Sequence, residues 1–288
     1  MARKGIILAG GSGTRLYPLT KAVSKQLLPV YNKPLIYYPL SVLMLSGIRE
    51  IAIITTPHDQ TLFKELLGDG SNWGLSLSYI TQEKPNGIAE AYILAEEFLD
   101  GDPSALILGD NLFFGHDLPK LLEGFSKVET ASVIGHQVRD PERYGVVDYD
   151  ASGKVQGIIE KPKEPPSRIA VTGLYYLPGN ASEVAKTLTP SARGELEITD
   201  LLEMYLKDGA LEVAQLGRGF AWFDTGTHDS LLDAANFVRS LETRQHVQLA
   251  CLEEIALSKG WIDRDTILNS EAVKFKNDYG EYLRDILG

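Results

Sequence analysis

Residues 5–9, Gly-Ile-Ile-Leu-Ala, form an apolar run that stops at Gly10-Gly11-Ser12-Gly13-Thr14-Arg15-Leu16, and Lys25 follows ten residues after Arg15. A strand delivered straight into three glycines within four positions constrains the fold strongly. Glycine lets the backbone turn tightly and approach a ligand with no side chain between them. Amide groups exposed by such a loop, above all at a following helix start, bind anions. Arg15 and Lys25 add full positive charges downstream, so the segment reads as a polyphosphate site.

Three better-known loops do not match. A dinucleotide fingerprint counted from Gly11 needs glycine at its sixth position, where Leu16 stands. The Gly-Lys-Ser/Thr ending of a P-loop is absent. A nucleophile elbow needs glycine where Thr14 stands.

Short apolar runs at 5–9, 50–55, 75–81, 105–108 and 131–136 alternate with helical patterns at 34–45, 60–67 and 88–99. That alternation predicts an α/β fold with a doubly wound, mostly parallel sheet. In such sheets ligands sit at the carboxyl ends of strands, which is where the glycine loop falls. The middle of the chain reads differently. Residues 144–150 and 154–159, joined by an Asp150-Ala151-Ser152-Gly153 turn, predict an inserted β-hairpin, and a further apolar run covers 169–177. Helices are expected at 197–207, 229–245, 252–259 and 278–287. No linker divides the chain, so one domain over 1–288 is expected. Its catalytic core covers roughly 1–240, and a helical part at 241–288 is available for oligomer contacts.

The net charge of -11 disfavours nonspecific binding to nucleic acid or anionic membranes. It does not oppose a local anion site, because screening at physiological salt acts over about 8 Å. No apolar run is long enough to span a bilayer, and the first strand lacks a signal-peptide pattern, so a cytoplasmic protein is expected. The single cysteine, Cys251, lies in an apolar neighbourhood and reads as a buried structural thiol. The five histidines show no zinc or di-iron spacing.

Metal-assisted phosphoryl chemistry needs carboxylates, because Mg²⁺ prefers hard oxygen ligands. Asp110 follows the strand at 105–108, and Asp224 follows a short apolar run that turns at Gly226. Taken singly, each is equally an N-cap or turn residue. Glu160-Lys161-Pro162 closes the hairpin as either an exposed ion pair or a sugar-phosphate contact. Trp222 and Tyr175 suit a sugar pocket or ordinary core packing.

These motifs together resemble the sugar-1-phosphate nucleotidylyltransferases, most closely the short glucose-1-phosphate thymidylyltransferases of deoxysugar (dTDP-rhamnose type) synthesis. The resemblance rests on Gly10–Leu16 with Lys25-Gln26-Leu27-Leu28-Pro29, Gly109-Asp110-Asn111, Tyr144-Gly145-Val146-Val147 and Glu160-Lys161-Pro162. It continues through Val171-Thr172-Gly173-Leu174-Tyr175, the segment from Arg193 to Asp200, and Trp222-Phe223-Asp224-Thr225-Gly226-Thr227. One segment departs from the family pattern: Glu90 stands where an amide is common, in Pro85-Asn86-Gly87-Ile88-Ala89-Glu90-Ala91. It lies beside the implied base pocket and bears on nucleobase preference.

The resemblance implies a Rossmann-like nucleotide-diphospho-sugar transferase fold and transfer of a thymidylyl group from dTTP to glucose 1-phosphate, giving dTDP-glucose and pyrophosphate. By the same resemblance, Leu8, Gly10, Gly11, Ser12, Gly13, Thr14 and Arg15 surround the triphosphate, while Gln82, Pro85 and Gly87 meet the base. Arg15, Lys25 and Lys161 are the implied catalytic cations, and Asp110 and Asp224 would hold Mg²⁺. Asn111, Gly145, Glu160, Lys161, Val171, Tyr175 and Trp222 would surround the sugar phosphate. A homotetramer inhibited by a deoxysugar end product such as dTDP-rhamnose is implied as well. Two other readings are a uridylyltransferase of the same fold and a non-catalytic nucleotide-sugar sensor. An inverting glycosyltransferase would show an Asp-x-Asp metal motif, and the two such triplets here fall in expected turns.

Overall fold

Four parallel strands form the frame of the molecule, and the glycine loop leaves from one of the two central ones. The computed structural model describes residues 2–11 and 13–288. In chain order the strands are β1 (Lys4–Ala9), β2 (Pro29–Val30), β3 (Lys33–Pro34), β4 (Glu50–Thr55), β5 (Ser76–Thr81), β6 (Ser104–Leu108), β7 (Asn111–Gly115) and β8 (Ala131–Gln137). They continue with β9 (Gly145–Tyr149), β10 (Val155–Glu160), β11 (Ile169–Leu177), β12 (Leu211–Gln215) and β13 (Phe220–Asp224). The helices are α1 (Tyr37–Leu45), α2 (Gln60–Leu67), α3 (Glu90–Leu94), α4 (Glu96–Leu99), α5 (Leu118–Phe125) and α6 (Ala181–Ala185). After them come α7 (Ile198–Lys207), α8 (His228–Gln245), α9 (Leu252–Ser258), α10 (Arg264–Asn269) and α11 (Asp278–Leu287).

β6, β1, β4 and β5 lie side by side and parallel. Both faces of β6, β1 and β4 are buried, which is why these strands read as nearly unbroken apolar runs, whereas β5 at the edge is only partly covered. Along β1, Ile6 joins one core with Leu106 and Ile54, while Ile7 joins the other with Ile107 and Ile53. The first core is covered by α3, α6 and α7, the second by α1, α5 and α9.

Beyond β6 the sheet turns antiparallel through the nine-residue β11. One edge of β11 runs along β8, and the other changes partner partway. Ala170 pairs with Val146 of β9, and Leu174–Leu177 pair with β6. The sheet opens between β9 and β6, opposite Val171 to Gly173. A small separate sheet crosses this opening, with β7 and β13 antiparallel and Asp224 opposite Asn111.

The expected α/β fold is observed, with local differences that include the unexpected β7, α5, α6 and α10. The glycine loop enters a single 3-10 turn, Thr14–Leu16, and not an α-helix, so no long helix dipole stands behind it. Pro18, two residues further on, provides no backbone N–H to extend the turn. The helix expected at 34–45 starts only at Tyr37, because Lys33–Pro34 pair with Pro29–Val30. The helix expected at 88–99 is broken at Ala95 into α3 and α4. β12, with weakly apolar Leu-Glu-Val-Ala-Gln, has no distinct sequence signal and forms against β8.

Among the described residues no helix is long and apolar enough to cross a membrane. In the C-terminal part Leu283 is buried in a small core with Cys251, Ile267, Val273 and Leu287. Trp261 and Ile262 pack onto the main core, whereas Phe275 is exposed.

Candidate active site

The cavity at the sheet opening has a volume of about 490 Å³. Three alternate positions of β11, Val171, Gly173 and Tyr175, line it, as the period of a strand requires. Arg15, Asp110, Asn111, Gly145, Glu160, Lys161, Trp222 and Asp224 complete the expected part of the wall. Residues from the glycine loop, β6–β7, the hairpin, β11 and β13 are thereby brought together.

Asp110 and Asp224 converge because β7 pairs with β13. Thr225, fully buried, locks the crossing: its N–H and its hydroxyl both donate to the Asp110 carbonyl, at 3.1 and 2.8 Å. A capping box between Thr227 and Ser230 then starts α8 directly after the Gly226 turn. The two carboxylates have opposite proton affinities. Burial alone would push Asp110 up, but the charge and hydrogen bond of Lys25 and a bond from Asn111 Nδ2 hold it below its usual value. Asp224 is raised by burial and then by the negative charge of Asp110, against the pull of Lys25, Arg15 and Arg143.

Lys25 forms an ion pair with Asp110, and both side chains are largely buried. The Arg15 guanidinium lies against the Gly226 turn: a methyl on Gly226 would come within 2.7 Å of Arg15 Nη2 and 3.1 Å of Asp224 Oδ1. Arg143 reaches Asp224 at 3.7 Å. Three cations thus surround two carboxylates, Asp110 buried and Asp224 partly so. As a donor set, two hard oxygen groups at an open cavity fit Mg²⁺, which takes its remaining ligands from phosphates and water. Among the described residues no cluster of three or more His, Cys, Asp or Glu suits a metal held by protein alone.

Asn111 is held from three sides. Its Oδ1 accepts from Gly173 N at 3.1 Å and from Trp222 Nε1 at 2.6 Å, while Nδ2 donates to Asp110 Oδ1 at 3.0 Å. With the acceptor occupied, the amide nitrogen is the group left to meet a ligand hydroxyl. Gly145 and Glu160 face each other across the hairpin ladder, and a methyl on Gly145 would come within 2.8 Å of Thr199 Cγ2. Lys161, at φ 42, adopts a left-handed conformation uncommon for a side-chain-bearing residue, and its Nζ lies 3.3 Å from Glu160 Oε1. Strain of this kind costs roughly 1–3 kcal/mol and clusters at ligand clamps.

Apart from Arg15, which lines the cavity, the residues expected around the triphosphate and base lie beside it. Leu8 is the next-to-last residue of β1, and its carbonyl accepts from Gly109 N at 2.9 Å. Gly10 lies under Gln82, Gly11 and Thr14 are exposed, and Gly13 takes φ 61 against Thr20. Ser12 lies outside the described residues. Pro85 is exposed in the loop after β5, and Gly87, at φ 113, presses on the backbone of Leu196. Its neighbour Ile88 reaches the cavity wall. Sequence reasoning does not single out Arg143, Thr199 or Thr225. Arg143 directly precedes the Tyr-Gly-Val-Val motif, and that adjacency is the one signal it offers.

A strand-borne glycine loop, paired carboxylates and clustered cations at a sheet opening define a nucleotide-phosphate transferase site. The family model for nucleotidyl transferases matches residues 4–240. A glucose-1-phosphate thymidylyltransferase of Xanthomonas campestris is 58% identical over 282 residues, covering 98% of this chain and 96% of the relative. A solved structure from Bacillus anthracis, provisionally described as a glucose-1-phosphate thymidylyltransferase in complex with sucrose, superposes with a TM-score of 0.76. It is 44% identical, covering 83% of this chain and 96% of that one. A UDP-glucose pyrophosphorylase complexed with UDP-glucose is 27% identical with a TM-score of 0.73, covering 83% and 99% of the two chains. The chain belongs to the nucleotidyl transferase family, among the glucose-1-phosphate thymidylyltransferases.

Proposed function

We infer that this nucleotidyltransferase joins dTTP and α-D-glucose 1-phosphate into dTDP-glucose, releasing pyrophosphate. The observation that carries the reading is that Asp110, Asp224 and Arg15 line one cavity together with Glu160 and Lys161, with Lys25 paired to Asp110. Relatives bearing the thymidylyltransferase name along almost their whole length support the choice of substrates.

Both substrates are anions, so the first task is to bring them together. Two unit charges about 5 Å apart repel by roughly 3 kcal/mol at an effective dielectric near 20. Arg15 and the amides of Gly10, Gly11, Ser12, Gly13 and Thr14 would hold the triphosphate beside Leu8, with the base against Gln82, Pro85 and Gly87. Lys25 would leave Asp110 for the phosphates, and Lys161 would grip the sugar phosphate. Glu160, Asn111, Gly145, Val171, Tyr175 and Trp222 would enclose the glucosyl group. Mg²⁺ held by Asp110 and Asp224 would neutralise phosphate charge. A sugar-phosphate oxygen then attacks the α-phosphorus in line, and catalysis is alignment and charge stabilisation with no covalent enzyme intermediate.

The proposed setting is a cytoplasmic first step of dTDP-rhamnose or related deoxysugar synthesis. We further propose one domain over 1–288, with a core over roughly 1–240 and a homotetramer to which 241–288 contribute. The exposed Phe275 supports that contact surface, and inhibition by a deoxysugar product such as dTDP-rhamnose belongs to the same proposal. A monomer by light scattering at micromolar concentration would remove it. The second reading, uridylyl transfer, is favoured by the shared fold of the UDP-glucose pyrophosphorylase. Pyrophosphate release from dTTP, UTP, CTP and GTP, each with glucose 1-phosphate and galactose 1-phosphate, tests the assignment. Preference for dTTP with glucose 1-phosphate is expected. Preference for UTP would establish the second reading, and tight binding without turnover would make the chain a sensor.

A further inference from the structure

Glu90 and Gln82 meet at the edge of the glycine loop. Gln82 continues β5, its N–H donating to Thr55 O at 2.8 Å, and the residue is buried. Its side chain lies over Gly10 so closely that a methyl there would come within 2.3 Å of Gln82 Oε1. Its Nε2 donates to Glu90 Oε2 at 2.7 Å, and the other carboxylate oxygen, Oε1, accepts from Asn86 Nδ2 at 2.8 Å.

Which way a glutamine amide points is ordinarily ambiguous, since its oxygen and nitrogen are nearly alike in shape. A carboxylate removes the ambiguity, because it accepts hydrogen bonds and cannot donate one. Only the nitrogen of Gln82 can face Glu90, so the carbonyl oxygen is forced toward the loop. A glutamine at position 90 would satisfy both orientations of its neighbour, because it carries donor and acceptor alike.

We propose that Glu90 is a specificity-positioning residue: by fixing the Gln82 amide, it presents an acceptor to the N3 edge of the pyrimidine and selects bases that carry an N3–H. This rests on the thymidylyl-transfer reading, in which Gln82 meets the base. Thymine and uracil donate from N3 to Gln82 Oε1, and the second hydrogen of Nε2 is free to donate to an adjacent base carbonyl. Cytosine places a lone pair at N3, opposite the fixed oxygen, so two acceptors would confront each other. Glu90 discriminates by the protonation of N3 and is indifferent to the 5-methyl group and the 2′-hydroxyl. With Glu90 replaced by an amide, Gln82 can turn over and offer its nitrogen to cytosine.

The test compares the full chain with Glu90→Gln and Glu90→Ala, measuring kcat/KM by pyrophosphate release for dTTP, UTP and dCTP with glucose 1-phosphate. Melting temperatures are recorded alongside. The unchanged protein should prefer dTTP to dCTP, and both variants should narrow that preference by about tenfold, the scale of one hydrogen bond. The dTTP-to-UTP ratio should stay within twofold. A merely structural role for Glu90 would lower all three substrates together and leave every ratio intact. A dTTP-to-dCTP ratio unchanged within twofold in both variants overturns the proposal, as does an unchanged protein that accepts dCTP as readily as dTTP. An unchanged protein that turns over no nucleotide defeats the thymidylyl-transfer reading itself, a failure distinct from that of Glu90.

Discussion

Asp224 stands directly opposite Asn111 in the antiparallel pair of β13 and β7, so its carboxylate reaches the vicinity of Asp110. The raised proton affinity of Asp224, caused first by burial and then by the Asp110 charge, is the electrostatic mark of that approach. Two like charges are held together only because Lys25, Arg15 and Arg143 surround them. A site built this way suits the proposed binding of phosphate groups and a cation as a set.

Lys25→Ala and Asp110→Ala are each expected to reduce turnover by at least about a hundredfold, the scale of losing one preorganised charge. Single-turnover pyrophosphate release measures this. Rates within tenfold of the parent for both variants would contradict the proposed roles.

In the proposed sugar site Trp222 would act through Asn111, to which its indole N–H donates at 2.6 Å. Trp222→Phe keeps an aromatic ring and removes that donor, loosening an Asn111 amide still held by Gly173 N and Asp110. The KM for glucose 1-phosphate should rise about tenfold, the worth of one hydrogen bond, with the KM for dTTP unchanged. Equal effects on both substrates would assign Trp222 to packing alone.

Gly87 combines a φ of 113 with a place where a methyl would stand 2.3 Å from Leu196 O. Gly87→Ala should therefore cost roughly 3 kcal/mol in urea unfolding, the sum of backbone strain and a displaced loop. A midpoint equal to the parent's would show that the 85–88 loop yields freely.

Cys251 is buried, and its thiol is pushed up to about 12, by burial first and then by the nearby Glu253. The thiol should stay protonated and unreactive to iodoacetamide at pH 8, reacting only after unfolding. A pKa raised in the folded state contributes stability that is complete below the unfolded value of 9 and lost as pH rises toward about 12. Denaturant midpoints should accordingly fall across that window, and Cys251→Ser should flatten the thiol's share of the fall. Alkylation of the folded protein at pH 8 would refute the assignment.

The strand before the glycine loop was legible because a strand buried on both faces leaves a local signature, an apolar run bounded by glycines. The hairpin at Asp150–Gly153 was legible for a similar reason: Asp150 Oδ1 accepts from Ser152 N and Lys154 N, a turn written within five residues. The break at Ala95 and the strand at Leu211–Gln215 were not legible, since tertiary packing decides both. Arg143 was missed because its partner Asp224 lies far along the chain.

By itself the sequence determined the α/β class, the place of the glycine loop and the order of the motifs, all of which follow from short-range periodicity and residue chemistry. Tertiary structure alone decided which groups meet. Trp222 reaches Asn111 across 111 residues, and Lys25 reaches Asp110 across 85. Such pairs form because β11 changes partner and opens the sheet, and because Thr225 ties β13 to β7. No local pattern encodes that closure: it is fixed by how the strands stack, and the orientation of each amide and carboxylate in the site follows from it.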